Sequence, residues 1–143
     1  MSYLAKNYNR KKISFKHGRG CYLYSKNNVK YLDFVQGIAV NSLGHSHPKL
    51  VKTINKQSKK LWHVSNLYEI PGQEALAQRL CAASFAELVF FCNSGAEAME
   101  GALKVARKYH FANGEPKRER GIACSRAFHG RTLAMAAATG QPA

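Results

Sequence analysis

A short apolar run that turns directly into a helix is the feature that most limits how this chain can fold. Residues 88–91 are apolar without a helical period, which predicts a buried strand. The residues that follow place apolar side chains at helical spacing, namely Ala98, Ala102, Val105 and Tyr109. Because a strand followed at once by a helix is the repeating unit of α/β folds, this junction predicts a parallel sheet.

The residues between this strand and this helix predict an anion site. Ser94 followed three residues later by Glu97 fits a capping box, in which both side chains bond backbone N–H groups of the first turn. Gly95 lets a ligand approach the backbone, and the unpaired N–H groups, aligned with the helix dipole, favour a phosphate. The same residues would also cap a helix that binds no ligand, so the local pattern leaves both interpretations open.

Two later segments repeat the order of a strand followed by a helix. Residues 121–126 predict a second strand, and a helix of small residues follows at 133–139. In parallel sheets with right-handed crossovers, ligands gather at the carboxyl ends of the strands. Residues 94–96 and 128–131 follow two such ends, so we expect two loops at one pocket.

The part of the chain before residue 70 has a different pattern. Residues 21–24 and 29–34 are rich in aromatic and β-branched side chains and flank a polar turn, which predicts a hairpin. One helix is predicted to begin at His47-Pro48 and another at Pro71-Gly72, each with proline at an early position.

The length of the chain and the number of predicted strands limit how its domains can be organised. With 143 residues and a hydrophobic fraction of 45%, the chain is long enough for a domain with a genuine core. Only two parallel strands are predicted, however, and two strands cannot cover their own faces and edges. We therefore expect an N-terminal segment at residues 1–70, with a hairpin and a helix, and the truncated start of a parallel-sheet domain at residues 71–143.

The charge and cysteine patterns favour some partners over others. The net charge is +14, and residues 1–60 hold 13 Lys and Arg against the single acid Asp33. These cations are spread over a tail, a turn and one helix without a nucleic-acid motif, which favours a solvated basic face over nucleic-acid binding. Four cysteines without a CxxC pair predict no metal site. Without a membrane span or secretory signal, we expect a cytoplasmic protein that does not bind a membrane.

The second loop carries three side chains suited to a ligand. Phe128 offers a flat face for stacking on an aromatic ring, although a core phenylalanine fits the pattern too. His129 is a weaker candidate, for an acid or a base. Arg131 would hold a carboxylate through two parallel hydrogen bonds, with a solvated arginine as the alternative.

Seven sequence blocks, in order, resemble the class III pyridoxal-phosphate-dependent aminotransferases, and within them the acetylornithine aminotransferases. The blocks are residues 20–24, 30–34, 37–41, 43–48, 65–68, 90–98 and 128–132. The resemblance is to the N-terminal portion of such enzymes. It implies an α/β chain that forms an incomplete part of the fold-type I transferase fold, in which residues 1–70 are part of the small domain and residues 71–143 are the first strand–helix units of the large domain.

The resemblance also implies roles for both loops. Ser94, Gly95 and Ala96 would bind the phosphate of pyridoxal phosphate, Phe128 would stack on its pyridine ring, and Arg131 would hold the α-carboxylate of an amino-acid substrate. The implied reaction transfers the δ-amino group of N-acetylornithine to 2-oxoglutarate, in arginine biosynthesis, by enzymes that are homodimers. An ornithine, succinylornithine or 4-aminobutyrate aminotransferase, or a non-catalytic interaction module, is the alternative.

No catalytic residue of the family has a counterpart in this chain. The Schiff-base lysine, the acid that pairs with the pyridine nitrogen and the threonine that reaches the partner subunit's phosphate all come later in such enzymes. Lys104 and Lys108 lie several turns along the predicted helix and are poor substitutes. We therefore expect that the chain alone cannot transaminate and that a complementing C-terminal chain would have to supply the lysine.

Overall fold

The computed structural model describes residues 3–140, and the chain divides between Tyr68 and Glu69 into two units. This division lies two residues before the one expected from the sequence. Whether the two units correspond to the small and large domains of a complete fold stays a prediction.

The first unit is built on a three-stranded antiparallel sheet. Its strands are β1 (Phe15–Arg19), β2 (Tyr22–Ser25) and β3 (Lys30–Leu32), and they lie side by side in chain order. The predicted hairpin is confirmed as β2 and β3, whereas β1 was not predicted. The rings of His17 and Tyr24 stack with centroids 4.5 Å apart, which joins β1 to β2.

A loop after the sheet is fastened back onto it. Gly20 and His45 exchange backbone hydrogen bonds of 2.9 and 2.8 Å. Nε2 of His45 lies 2.7 Å from Oδ2 of Asp33, whose other oxygen accepts hydrogen bonds from the N–H groups of Val35 and Gln36. The backbone hydrogen bond from Gln36, followed by that from the His45 ring, holds the pKa of Asp33 below its ordinary value.

Two helical segments complete the first unit. α1 (Gln36–Ala39) is a single turn with left-handed dihedrals, and φ of its Ile38 is +64°. L-residues disfavour this conformation, so the hydrogen bonds that Asp33 accepts at its start help to hold it. α2 (Pro48–Gln57) begins at the predicted proline. The apolar side of α2 faces solvent at Leu50, Val51 and Ile54.

The second unit contains three helices, α3 (Pro71–Ala82), α4 (Gly95–Ala112) and α5 (Leu133–Ala138). α3 begins at the predicted proline, and α4 and α5 contact each other. The predicted strands at residues 88–91 and 121–126 do not form within the described residues, which corrects that expectation. A parallel strand takes its hydrogen bonds from neighbouring strands, and residues 3–140 provide neither segment with a strand ladder.

Both of these segments nevertheless pack on α4. A side-chain carbon placed on Gly101 would lie 3.6 Å from the Phe90 ring, and one placed on Gly121 would lie 3.8 Å from the side chain of Leu103. One helix therefore contacts both predicted strand positions, as the helix of a strand–helix–strand unit does.

Little of the chain is buried. Within residues 3–140, Met135 is the one hydrophobic residue that is buried, and the exposed surface of the chain is 13,589 Å². A folded monomer of this mass exposes about 7,400 Å². The expectation of a genuine core is therefore wrong for this stretch, because the apolar side chains at predicted core positions have too few partners to pack against.

Candidate functional site

Ser94 caps the first turn of α4 through its side chain. Ser94 is its N-cap, with extended dihedrals, and Oγ of Ser94 accepts a hydrogen bond of 3.2 Å from the N–H of Glu97. The Glu97 carboxylate accepts a hydrogen bond of 2.6 Å from the N–H of Asn93, one residue before the cap. The Ser94 half of the predicted capping box is confirmed, whereas Glu97 bonds the N–H before the cap and not an N–H of the first turn.

Gly95 and Ala96 keep their backbone N–H groups open at the same turn. Among residues 3–140 these two N–H groups have no hydrogen-bond partner, as first-turn donors lack one unless a side chain supplies it. A side-chain carbon placed on Gly95 would meet no atom within 4 Å, so the space beside its backbone is open. Two open donors at the positive end of an 18-residue helix fit a phosphate group.

The second predicted loop lies against this turn. Gly130 has a φ of +127°, and a side-chain carbon there would lie 2.6 Å from Cβ of Ala96 and 3.3 Å from Cβ of Met135. Such an approach, in that conformation, requires glycine. The two loops that the sequence placed at one pocket therefore touch, at Gly130 and Ala96.

Two threonines fix the second loop to the helices. Oγ1 of Thr132 donates a hydrogen bond of 2.6 Å to Glu100 on α4 and accepts one of 3.3 Å from the N–H of Met135. Oγ1 of Thr139 donates to the carbonyl of Met135 at 2.7 Å and accepts from the N–H of His129 at 3.2 Å. Met135, whose side chain is fully buried, is therefore bonded at both of its backbone groups.

Phe128 and Arg131 flank this contact, and their ligand-binding roles stay predictions. Each lies within two positions of Gly130, and Phe128 exposes 58% of its surface. This exposure leaves the ring accessible to a flat ligand. Arg131 is exposed as well. His129 is held through its backbone N–H, which gives it a part in fixing the loop.

Sequence reasoning missed the residues that bring the two loops together. Thr132 precedes Met135 by three positions, which is the spacing of a helix N-cap, so this signal was present in the sequence. Glu100 gave no such signal, because its hydrogen bond to Thr132 depends on how α4 and α5 pack. The bond between Thr139 and His129 depends on how the end of α5 lies against the loop. The contact of Gly130 with Ala96 is also non-local, and a lone glycine in a loop does not reveal its neighbour.

Lys104 and Lys108 lie along α4, away from the open N–H groups. At a rise of 1.5 Å per residue, Lys104 lies about 13 Å beyond Gly95 along the helix axis. Nζ of Lys108 lies 5.6 Å from the centroid of the Phe111 ring, near the other end of the helix. Neither lysine is therefore placed to act at the first turn.

An open cleft of about 410 Å³ lies further along α4 and is separate from the two loops. Its lining residues are Leu103, Ala106, Arg107, His110 and residues 117–121. Two of its arginines are engaged in ion pairs, Arg107 with Glu119 and Arg118 with Glu115. Because it shares no residue with the first turn or the second loop, the cleft is not part of the anion site.

The part of the chain that the structure describes lacks two other kinds of feature. There, no group of three histidine, cysteine or acidic side chains is placed to hold a metal ion. None of the helices between residues 3 and 140 has the length and apolar character needed to cross a membrane.

The fold of this chain is an incomplete part of the fold of pyridoxal-phosphate-dependent aminotransferases, as similar solved structures show. Residues 3–143 match the family model described as aminotransferase class III, and the chain belongs to that family. Enzymes of the family use pyridoxal phosphate. The predicted family and fold class are confirmed by these matches.

Individual relatives give finer detail. The acetylornithine aminotransferase of Mesorhizobium japonicum is 59% identical over 140 residues, which are 98% of this chain and 35% of that protein. The N-acetylornithine aminotransferase structure from Stenotrophomonas maltophilia K279a has a TM-score of 0.77 and 40% identity, over 85% of this chain and 34% of that one. The ornithine aminotransferase from Toxoplasma gondii ME49 has a TM-score of 0.87 and 27% identity, over 93% and 32%. This chain thus spans about a third of the length of the curated relatives it matches.

Proposed function

We propose that this chain supplies the phosphate-binding side of the active site of an acetylornithine-type aminotransferase. The observation that carries the proposal is the open pair of N–H groups at Gly95 and Ala96, with the Gly130 loop packed against the same turn. The names of the most similar relatives support the reaction, and the geometry of the first turn of α4 supports the position of the cofactor.

Each part of the site has one task. The N–H groups of Gly95 and Ala96 donate to the phosphate, and the Ser94 hydroxyl, which accepts from Glu97, still has its own proton to donate. Phe128 covers one face of the ring and excludes water from it. Arg131 holds the α-carboxylate of the substrate through two parallel hydrogen bonds. When bound, pyridoxal phosphate supplies the electron sink for bond breaking at the amino-bearing carbon.

The reaction we assign transfers the δ-amino group of N-acetylornithine to 2-oxoglutarate, giving N-acetylglutamate semialdehyde and glutamate, within arginine biosynthesis. Its support is the identity of 59% with a relative named for acetylornithine. Another class III substrate, namely ornithine, succinylornithine or 4-aminobutyrate, is the alternative, and the similarity to an ornithine aminotransferase structure favours ornithine among these.

We also propose that the chain does not transaminate by itself. The chemistry needs a lysine that bonds the cofactor in a pocket that lowers the pKa of that lysine. Lys104 and Lys108 lie along α4, away from its first turn, and the family pattern places the lysine in a later part of the fold. A complementing polypeptide, and a second subunit as in a homodimer, therefore complete the active site in this proposal.

Binding of pyridoxamine 5′-phosphate, measured by calorimetry, tests the phosphate site. This ligand has no aldehyde and so does not modify the many surface lysines. Gly95→Pro removes one donor while suiting the first position of a helix, and Gly95→Ala keeps the donor as the matched control. We expect the proline variant to bind at least about tenfold more weakly, since hydrogen bonds to charged groups contribute about 1.5–3 kcal/mol. Equal affinity of the two variants would contradict the proposal.

Turnover tests the second half of the proposal. The purified chain is incubated with pyridoxal phosphate, N-acetylornithine and 2-oxoglutarate, and glutamate formation is followed. We expect no glutamate above the rate of the same mixture without the chain. Formation of glutamate by the chain alone would show that one of its own lysines performs the chemistry.

A further inference from the structure

The loop that contains Arg131 is attached to one face of α4 at two points. Gly130 packs on Ala96, where an added side-chain carbon would lie 2.6 Å from Cβ of Ala96. Two residues later, Oγ1 of Thr132 donates a hydrogen bond of 2.6 Å to Oε1 of Glu100. Ala96 and Glu100 are four positions apart, and side chains with this spacing lie on the same face of a helix. Arg131 therefore lies between two residues that α4 holds.

The hydrogen bond to Glu100 is a strong one. A hydroxyl carries one proton, and the Thr132 hydroxyl accepts from the N–H of Met135, so its own proton is available for the carboxylate. A distance of 2.6 Å is typical of a hydroxyl that donates to a carboxylate, and such a bond is about twice as strong as one between neutral groups. Thr132 therefore caps α5 and ties it to α4 at the same time.

The two attachment points set the distance between both ends of the proposed site. Ala96 carries one of the two N–H groups that are open within residues 3–140, and Arg131 is one residue away from each attachment point. Because α4 rises about 1.5 Å per residue, Glu100 lies about 6 Å from Ala96 along the axis. A ligand that carries both a phosphate and a carboxylate must reach both groups at once, so this spacing decides how well it fits.

We propose that Glu100 is a positioning residue for recognition of the substrate carboxylate. Through Thr132, it holds Arg131 at the distance from the first turn of α4 that suits an amino-acid substrate. Glu100 acts through the threonine and not by contact with the ligand, so its effect is confined to ligands that carry a carboxylate. This inference rests on the proposed role of Arg131 and adds the residue that places it.

The charge of Glu100 makes its expected effect distinctive. A carboxylate near an anion site repels the anion, so its removal alone would strengthen the binding of a carboxylate ligand. Loss of its hydrogen bond frees the loop and weakens that binding, since a flexible arginine loses more conformational entropy when it is immobilised. The two effects have opposite signs, and weaker binding therefore identifies the positioning role.

Two stable ligands isolate the contribution of the carboxylate. One is the secondary amine made by reducing the adduct of pyridoxal phosphate with the δ-amino group of N-acetylornithine. The other is made in the same way from N-acetyl-1,4-diaminobutane, which is N-acetylornithine without its carboxylate. Both ligands carry the phosphate, the ring and the acetylated chain. We expect calorimetry to show that the parent chain binds the first at least about tenfold more tightly, because a bidentate contact with arginine is charge-assisted.

Substitutions at Glu100 test the link. Glu100→Ala removes the acceptor and suits a helix, and it is expected to reduce the preference for the carboxylate ligand to about threefold or less. Glu100→Gln keeps an acceptor oxygen for the threonine hydroxyl and is expected to retain most of the preference. The matched control is Glu119→Ala, which removes a carboxylate of the same unit that bonds Arg107 instead and is expected to leave the preference unchanged.

A measurement without ligand shows whether the loop itself responds. Nitrogen-15 relaxation of the backbone amides reports motion on the picosecond-to-nanosecond timescale. We expect residues 130–132 to become more mobile in Glu100→Ala than in Glu100→Gln, while Gly95 and Ala96 keep the mobility of the parent chain. Circular dichroism of both variants checks that α4 is retained, so that a local effect is separated from loss of structure.

The outcomes separate this inference from the proposed function. If Glu100→Ala keeps the preference for the carboxylate ligand, or loses affinity equally for both ligands, the positioning role is overturned, whereas the phosphate site of the parent chain stands. A parent chain that binds both ligands equally would contradict the proposed role of Arg131 and overturn this inference with it. Loss of the preference in Glu100→Ala, together with its retention in Glu100→Gln, supports both.

Discussion

The two units of this chain differ in where their hydrogen bonds come from. In the first unit, each strand pairs with its neighbour in sequence, and Asp33 and His45 fasten the following loop to the sheet. In the second unit, α4 and α5 hold two loops together, but residues 88–91 and 121–126 form no strands. Antiparallel hairpins are complete within a short stretch of chain, whereas parallel strands depend on partners far away in sequence.

Two glycines of the second unit separate the effect of close packing from the effect of backbone strain alone. Gly130→Ala places a carbon 2.6 Å from Ala96, whereas Gly114→Ala, at a φ of +79°, meets no atom within 4 Å. We expect the first variant to weaken binding of pyridoxamine 5′-phosphate more than about tenfold, because overpacking costs about 1–3 kcal/mol and displaces the loop. Calorimetric titration of both variants measures this. Equal losses in the two variants would show that the loop contact does not shape the site.

The corresponding contact in the first unit lies between Gly18 and His45. An alanine carbon at Gly18 would lie 2.5 Å from the His45 ring, whereas one at Gly72 in α3 meets no atom within 4 Å. We expect Gly18→Ala to speed amide exchange at Gly20 and His45 by about tenfold or more, since their mutual hydrogen bonds depend on the ring position.

Gly72→Ala serves as the control and is expected to leave those amides unchanged. If amide exchange at Gly20 is unchanged in the Gly18→Ala variant, the backbone hydrogen bonds between Gly20 and His45 do not depend on the position of the His45 ring.

Two substitutions at Ser94 distinguish its role as the cap of α4 from the binding of an anion at the same turn. Ser94→Ala removes the side-chain acceptor for the Glu97 N–H and is expected to destabilise the helix start by about 1 kcal/mol. Ser94→Asp keeps a cap acceptor but adds a negative charge beside the open N–H groups. We expect it to retain helix content by circular dichroism and to lose phosphate binding. An aspartate variant that binds pyridoxamine 5′-phosphate as the parent chain does would argue against an anion at this turn.

The smallest expected difference between the two units is in how the pKa values of Asp33 and Glu115 respond to salt. The pKa of Asp33 lies below its ordinary value of 3.8, chiefly through a backbone hydrogen bond from Gln36. Because the folded pKa is the lower one, its bonds stabilise the first unit above pH 3.8 and are lost as the pH falls through the folded pKa. The pKa of Glu115, in the second unit, is lowered chiefly by the exposed Arg118 side chain.

Carbon-13 NMR titration of the two carboxyl groups checks this difference. Salt at about 0.5 M is expected to raise the pKa of Glu115 toward its ordinary value, because surface ion pairs are screened. The pKa of Asp33 should shift less, because backbone hydrogen bonds hold it. A larger shift at Asp33 would show that charge, rather than backbone hydrogen bonding, sets its pKa.

Much of this structure could be predicted from short-range signals in the sequence. Proline at residues 48 and 71 and the Ser94 to Glu97 spacing gave the starts of α2, α3 and α4, because caps and first turns are determined by adjacent residues. The hairpin of β2 and β3 was found for the same reason. The family, and with it the fold class, followed from seven ordered blocks rather than from any one of them.

Two local features were missed because their residues carry no clear signal: β1 is mostly polar, and the left-handed turn of α1 contains Ile38, which disfavours that conformation. Non-local features lay beyond such reasoning altogether. The contact of Gly130 with Ala96 depends on how α4 and α5 pack. The strand predictions at residues 88–91 and 121–126 were wrong within the described residues. An apolar pattern indicates which conformation a segment prefers, but not whether neighbouring strands are present to pair with it.

Backbone NMR during a titration with pyridoxamine 5′-phosphate tests whether the first turn of α4 binds a phosphate. We expect saturable shifts of the Gly95 and Ala96 amide signals, and no such shifts with pyridoxamine, which lacks the phosphate. Shifts that instead centre on the separate cleft at residues 117–121, or amide signals of Gly95 and Ala96 that do not respond, would contradict it.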